Sequence, residues 1–334
     1  MRKLINDPET IVAESLAGLA AANRHLVRLL DDASVVVRRD LPLAGKVGVV
    51  IGGGSGHEPL FPGLVGPGMG DAAACGAVFT SPSPDVIAKA IEVADSGSGV
   101  IVIHGNYAGD NMNFDLAVEL VRAQGLDTRT VRVWDDIASG GPDQVEERRG
   151  TAADLLVIKV AGASAARGDS LDEVYRLTSR ARDNCRSIGV ALSSCSIPGM
   201  DGPLFEMEEG VMHLGMGLHG ESGVARVQFE SADAITDRLL DSLFQERDLA
   251  GSEVVLLVNG YGSTTWMELH VVANRALQNL AGAGIEVRDT LVGSYCTSQE
   301  MAGCSLTLFE LDEELAELYS ARAHTPAFCM EAGR

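Results

Sequence analysis

Basic residues are scarce in this chain: 26 lysines and arginines stand against 47 aspartates and glutamates, a formal net charge of −21. That deficit argues against binding DNA, RNA or an anionic membrane, because a phosphate backbone is held by a basic patch. It does not forbid a small phosphorylated ligand held by backbone amides. No uncharged apolar run approaches the roughly 20 residues that a membrane helix needs. The opening MRKLINDPETIVAES meets Asp7, Pro8 and Glu9 before any apolar core, so no secretory signal is expected. None of Cys75, Cys185, Cys195, Cys296, Cys304 and Cys329 forms a C-x-x-C pair, which weakens zinc and redox readings. Without a secretion signal the six are expected as reduced thiols, and the protein as cytoplasmic. Internal repeats, low-complexity runs and long Gly/Ser linkers are also missing.

What remains is the composition of a soluble globular protein with a real core, 46% hydrophobic and 22% charged. The 334 residues suffice for one large domain or two ordinary ones. NDPETIVAESLAGLAAANRHLVRLLDD reads as one helix, with Asp7 as N-cap and Pro8 at the first helical position. KVGVVIGGGSGHEP reads as a buried strand over 46–51 and a glycine loop; PDVIAKAIEVADS is a short amphipathic helix. GVIVIHGNYAGDNMNFDLAVELVRAQG repeats the plan, with a strand over 99–104 and a helix ending near Gly125. TRTVRVWDD and AADLLVIKVAG are two further strand candidates. Later, SIGVALSSCSIPG, GVMHLGMGLHGESG and SEVVLLVNGYGSTTWMEL predict strands bounded by glycine, and helices are expected near 231–247, 266–281 and 311–321. The fold class is α/β: two closely packed domains, 1–183 and 184–334, each a mixed or mainly parallel sheet flanked by helices.

The glycine loop fails two nucleotide patterns. A Walker A loop needs a lysine where His57 follows Gly56, and G-x-G-x-x-G read from Gly52 or Gly54 ends on His57 or Pro59. The loop still offers backbone N–H groups that a ligand can approach closely. His57 fits either a loop histidine bonded to backbone or a catalytic one. Asp110, beside the start of a helix, fits either an N-cap or an ionised carboxylate at a ligand site, since both loops lie at strand carboxyl ends. His219, among Gly215, Gly217, Gly220 and Gly223, fits either a turn histidine or a nitrogen nucleophile.

Seven segments in order, GGGSGHEP (52–59), CGAVFTSPSPD (75–85), NYAGDNMNF (106–114), RRGTA (148–152), GMGLHGESG (215–223), GSYCTS (293–298) and HTPA (324–327), resemble one family. It is the substrate-binding K subunit of dihydroxyacetone kinases, and the resemblance runs from near residue 7 to near residue 330. It implies a homodimeric subunit that captures a ketone as a hemiaminal on His219. It implies His57 as the second active-site histidine, Asp110 as the base for the hydroxyl being phosphorylated, and Gly54, Ser55 and Gly56 as substrate-contacting backbone. It implies no cofactor in this chain: ATP or ADP and Mg are expected on a partner L subunit, recharged in some members by a phosphotransferase-system protein. No L domain follows HTPAFCMEAGR, so a partner chain is expected.

Four positions depart from the family pattern. Gly105 and Ala108 stand in GNYAGD where KNYTGD is usual, His104 stands where an apolar residue is usual, and Ser222 stands for a common proline. The lost lysine of the substrate site suggests a ketose other than dihydroxyacetone, such as the four-carbon erythrulose. Two other functions remain in view: a ketose-binding coactivator of transcription, which needs the capture histidine but not the base, and a sugar-phosphate isomerase or lyase, for which no phosphate clamp is evident.

Overall fold

The structure is a computed structural model that describes residues 3–30 and 34–333. The described chain divides into two compact units, each built from separate segments: 3–133, 154–181 and 314–333 in the first, 134–153 and 182–313 in the second. A single cut near residue 183 therefore misassigns two segments. The chain visits the second unit early, through 134–153, and returns to the first at its end.

The first unit begins with α1 (Ile11–Ala22). The helix expected to run on to Asp32 stops here, because the Asn23 side chain and backbone N–H both donate to the Leu19 carbonyl. The following apolar residues alternate instead: β1 (Val27–Leu29) pairs antiparallel with β2 (Val35–Arg38). Asp31 and Asp32 lie outside the described residues. Four more strands follow, β3 (Gly48–Ser55), β4 (Ala72–Val78), β5 (Val100–Gly105) and β6 (Thr128–Val133), in the sheet order β1-β2-β4-β3-β5-β6. The β4-β3-β5-β6 stretch is parallel and the β1-β2-β4 edge antiparallel, so the sheet is mixed. Helices α2 (Pro84–Ala94) and α3 (Ala108–Ala123) bury Ile87, Ile91, Phe114, Ala117 and Val121 against one face.

AADLLVIKVAG, expected as a strand, forms α4 (Asp154–Arg167). Twelve of its fourteen residues are buried, so the run has no polar face to betray a 3.6-residue period. A continuous apolar run reads alike in a buried helix and a buried strand. Helix α5 (Leu171–Asp183) follows.

The second unit carries β7 (Cys185–Ala191), β8 (Val211–Leu214), β9 (Ala225–Gln228), α6 (Ala232–Glu246), β10 (Glu253–Gly260), α7 (Trp266–Gly282), β11 (Glu286–Gly293) and β12 (Gly303–Leu311). Its sheet order is β11-β10-β12-β7-β8-β9; only the β10–β11 pair is parallel. Helices α6 and α7 pack Ile235, Leu239, Leu243, Leu269, Val272 and Ala276 into its core. Thr265 caps α7 with a full capping box to Glu268. The chain then re-enters the first unit through α8 (Glu313–Tyr319) and the short strands β13 (Ala323–His324) and β14 (Cys329–Met330). The six cysteines are free thiols, and only Cys329 is exposed.

One core group carries a pH prediction. Lys159 on α4 is fully buried and donates from Nζ to the Leu318 carbonyl at 2.8 Å, satisfying an end of α8. Burial lowers its pKa from 10.5 to about 7. Between those values the unfolded chain binds the extra proton, so stability rises with pH, by at most about 1.4 kcal/mol per unit. Urea midpoints are expected to climb from pH 7 to pH 9, and Lys159→Met is expected to flatten that climb. Parallel curves for the two proteins would refute it.

Candidate functional site

Strands β3 and β5 are parallel neighbours, with Ile51 opposite Ile103, so their carboxyl ends open on the same edge of the first sheet. Here the glycine run does two jobs. Side chains at Gly52 and Gly53 would overlap the Ala74 carbonyl and the Phe61 ring, so these two serve internal packing. Gly54, partly exposed, and buried Ser55 and Gly56 turn the chain away. Gly56 has a φ of +99°, a region closed to most side chains, and its N–H donates to Glu58 Oε2 at 2.9 Å. Ser55 Oγ donates to the Gly76 carbonyl at 2.7 Å, tying the loop to the end of β4. His57 is 5% exposed and stacks on Phe79, with ring centroids 4.9 Å apart.

At the end of β5, His104 is a core histidine. It stacks on Phe114 at 4.4 Å, its Nδ1 meets the Gly105 carbonyl at 2.9 Å, and burial pulls its pKa down to about 4. The ring is neutral at pH 7 and fills the apolar position expected there. Gly105 is buried. A Cβ there would lie 3.2 Å from the Tyr107 ring and 3.6 Å from Asp154 Oδ2, so the missing side chain leaves no open volume at its own backbone. A cation reaching out from 105 would instead have passed beside a buried carboxylate. Tyr107 is the N-cap of α3, and Asp110 sits in its first turn. The cap role considered for Asp110 therefore falls to another residue, while the favourable dipole position stands.

His219 lies on the second unit, in the turn after β8. Its Nδ1 is 2.9 Å from Glu221 Oε1, and its backbone N–H donates to Glu221 Oε2 at 3.0 Å. Burial alone would raise the Glu221 pKa, but the hydrogen bonds and charge of His219 bring it down to about 2. A carboxylate only accepts, so Nδ1 carries the proton and Nε2 keeps its lone pair when the ring is neutral. Gly217 is required by close approach, because a side chain there would overlap Glu221 and Arg149. Arg149 clamps the turn, donating to the Gly215 carbonyl at 2.9 Å while paired with Asp136 at 2.7 Å. From the other direction, buried Ser298 donates to the Leu218 carbonyl. Asn259 at the end of β10 holds the Ser298 loop through the N–H groups of Tyr295 and Cys296 and the Cys296 carbonyl.

The expected residues thus form two groups. Gly54, Ser55, Gly56, His57, Gly105 and Asp110 gather at the β3 and β5 ends of the first unit, and His219 stands on the second. Glu221, Arg149, Ser298 and Asn259 were not singled out from the sequence. Glu221, two residues from the histidine, carried a local signal; the others act across the fold. Among the described residues, no group of three or more His, Cys, Asp or Glu side chains could hold a metal ion, and no helix is long and apolar enough to cross a membrane.

The model of the Dak1 domain matches residues 17–327. The chain is 43% identical over 330 residues to the dihydroxyacetone-binding subunit DhaK of PTS-dependent dihydroxyacetone kinase 2 from Listeria innocua, covering 98% of this chain and 99% of that one. It is also 43% identical over 333 residues to the L-erythrulose 1-kinase of Mycolicibacterium smegmatis, covering 98% of this chain but 58% of that protein. In structure it resembles the dihydroxyacetone kinase of C. freundii, with a TM-score of 0.90 at 32% identity, covering 100% of this chain and 61% of that one.

Proposed function

This chain belongs to the Dak1 domain family, and from that premise we propose that it is the substrate-binding subunit of a short-chain ketose kinase working through His219, His57 and Asp110. The kinase role follows the relatives named as dihydroxyacetone and erythrulose kinases. The observation that carries the site is the His219–Glu221 pair. In the neutral ring it places the proton on Nδ1 and directs the Nε2 lone pair away from the carboxylate, which is what addition to a carbonyl carbon requires.

In the proposed reaction Nε2 forms a bond to the ketone carbon, the C=O π pair moves to oxygen, and that oxygen takes up a proton. The ring becomes an imidazolium whose charge lies against Glu221. Glycerol, with no carbonyl, cannot be captured. His57, held on Phe79, is suited to exchange the proton with the new hydroxyl. Asp110 accepts the proton from the hydroxyl being phosphorylated. The phosphoryl group arrives from ATP and Mg assigned to an L-type partner. The first unit's loop, with His57 and Glu58 in place of a lysine, supports that assignment. A homodimer of this subunit in the cytoplasm completes the proposal.

The ketose is proposed to carry four carbons. Gly105 in place of a lysine removes a cationic donor from the substrate site, and Asp154 beside it supplies an acceptor for an added hydroxyl. Calorimetric titration with dihydroxyacetone, both erythrulose enantiomers and glycerol tests this. One erythrulose enantiomer should bind most tightly and glycerol not at all; a clear preference for dihydroxyacetone would overturn the four-carbon assignment. A ketose that binds but is not phosphorylated when an L-type partner and ATP are added would favour the coactivator instead.

A further inference from the structure

Arg149 belongs to the segment 134–153, and its guanidinium nitrogens meet either the turn over 215–221 or the carboxylate that braces them. Nε donates to Asp136 Oδ2 at 3.0 Å; Nη2 stands 2.7 Å from the same oxygen and donates to the Gly215 carbonyl at 2.9 Å. Nη1 comes over Gly217, where a Cβ would lie 2.5 Å from it and 2.1 Å from Glu221 Oε2. The guanidinium and the Glu221 carboxylate are therefore neighbours across the Gly217 backbone. Asp136 is itself fixed, accepting the Ala138 N–H on Oδ1 at 3.0 Å and donating its own N–H to the Arg149 carbonyl at 3.1 Å. Ala138 lies against Gly215, where a Cβ would come within 2.2 Å of it.

Stability alone is a weak reason for this pair. The Arg149 and Asp136 side chains are 11% and 6% exposed, and exchanging so buried an ion pair for apolar side chains of similar volume is often neutral or stabilising. What an apolar pair cannot supply is direction. Glu221 presents Oε1 to His219 Nδ1 and Oε2 to the His219 N–H at once, at 2.9 and 3.0 Å. A glutamate has several rotatable bonds, so with no neighbour to limit them that two-point grip is one rotamer among many. Arg149 limits them, and glycine at 217 leaves room for it. The charge of Asp136 offsets that of the guanidinium, so Glu221 keeps its own charge for the imidazolium. Shape outweighs field here.

We propose that Arg149, braced by Asp136, is a positioning residue for ketose capture. It confines Glu221 to the conformation that keeps the proton of the neutral His219 ring on Nδ1 and leaves Nε2 for the carbonyl carbon. The hold on Glu221 is a property of the turn; only its consequence for a ketose rests on the kinase reading. The early visit of 134–153 to the second unit thus sets a strut beside the turn that performs capture.

The test reads the histidine and the ligand separately, on the full chain at pH 8, where Asp136, raised by burial to about 6, is ionised. Ring 15N shifts, assigned by comparison with His219→Ala, report which nitrogen of His219 bears the proton. The native ring is expected to hold it on Nδ1. Arg149→Met, unbranched but without donors, should move the ring to a mixture of both tautomers. By calorimetry it should bind dihydroxyacetone or racemic erythrulose, whichever the native protein holds tighter, at least about tenfold more weakly, as misplacing a reacting group implies. Arg149→Lys keeps a cation for Asp136 but not the planar fork, and should fall between the two on both readings. A proton still on Nδ1 in Arg149→Met, or an unchanged ketose affinity, would overturn the role. If urea curves show that Arg149→Met does not fold, Arg149→Lys decides, and native ring shifts with native affinity would overturn it. A native protein that binds no ketose, with the ring still losing its Nδ1 proton in Arg149→Met, would sink the kinase reading and leave the positioning of His219 standing.

Discussion

His219→Ala is expected to abolish ketose binding while the second unit stays folded. The affinity loss should exceed about tenfold, or about 1.4 kcal/mol, because the bond to the substrate disappears together with its nucleophile. The His219 side chain is 25% exposed and packs in a turn, so its removal opens no core cavity. The turn itself is held by Arg149 on the Gly215 carbonyl and by Ser298 on the Leu218 carbonyl, neither of which needs the imidazole. Urea midpoints should therefore shift little while the calorimetric signal vanishes. Glu221→Gln separates orientation from nucleophilicity. A glutamine carbonyl still accepts from Nδ1–H, but the charge that steadies the imidazolium is gone, so binding should weaken without disappearing. If His219→Ala binds a ketose as the native protein does, covalent capture is wrong.

The parts of this fold that were legible share one property: their pattern is local. VGVVI and VIVIHG are apolar runs ending in glycine, and they form β3 and β5 near the expected residues. Ile235, Leu239, Leu240 and Leu243 recur at helical spacing and form the buried side of α6. Where the local pattern was silent or double, the reading failed. α4 is buried on nearly every side and so shows no periodicity. Leu26 and Leu30, on either side of β1, continued the helical spacing of α1 closely enough to hide the break at Asn23. The two-unit division depends on where 134–153 and 314–333 dock, which no linker composition marks. The site divides in the same way. Glu221 lies two residues from His219 and within sight of a local argument. Ser298 reaches Leu218 across eighty residues of sequence. It does so only because Asn259 folds the loop between them, a relation no spacing rule contains.

Asp110→Asn is expected to separate catalysis from capture. In the proposed reaction the carboxylate acts after the ketone is bound, taking the proton from the hydroxyl as phosphoryl transfer proceeds. An amide cannot take that proton, and loss of a general base costs about 100- to 10,000-fold in rate. The substitution is nearly isosteric, and Tyr107, not Asp110, occupies the N-cap of α3, so the helix start keeps its cap. The neutral side chain gives up the carboxylate's favourable interaction with the helix dipole, worth about 0.3–1 kcal/mol in a first turn. Ketose binding by calorimetry should stay within about tenfold of native, a 1.4 kcal/mol window, while turnover with an L-type partner and ATP collapses. The pair of variants then forms a cross: His219→Ala loses both binding and turnover, Asp110→Asn loses turnover alone. A fall in binding as large as the fall in rate would make Asp110 a substrate-holding residue instead. Turnover that survives the substitution would require another acceptor, and His57, buried on the neighbouring strand end, is the residue to replace next.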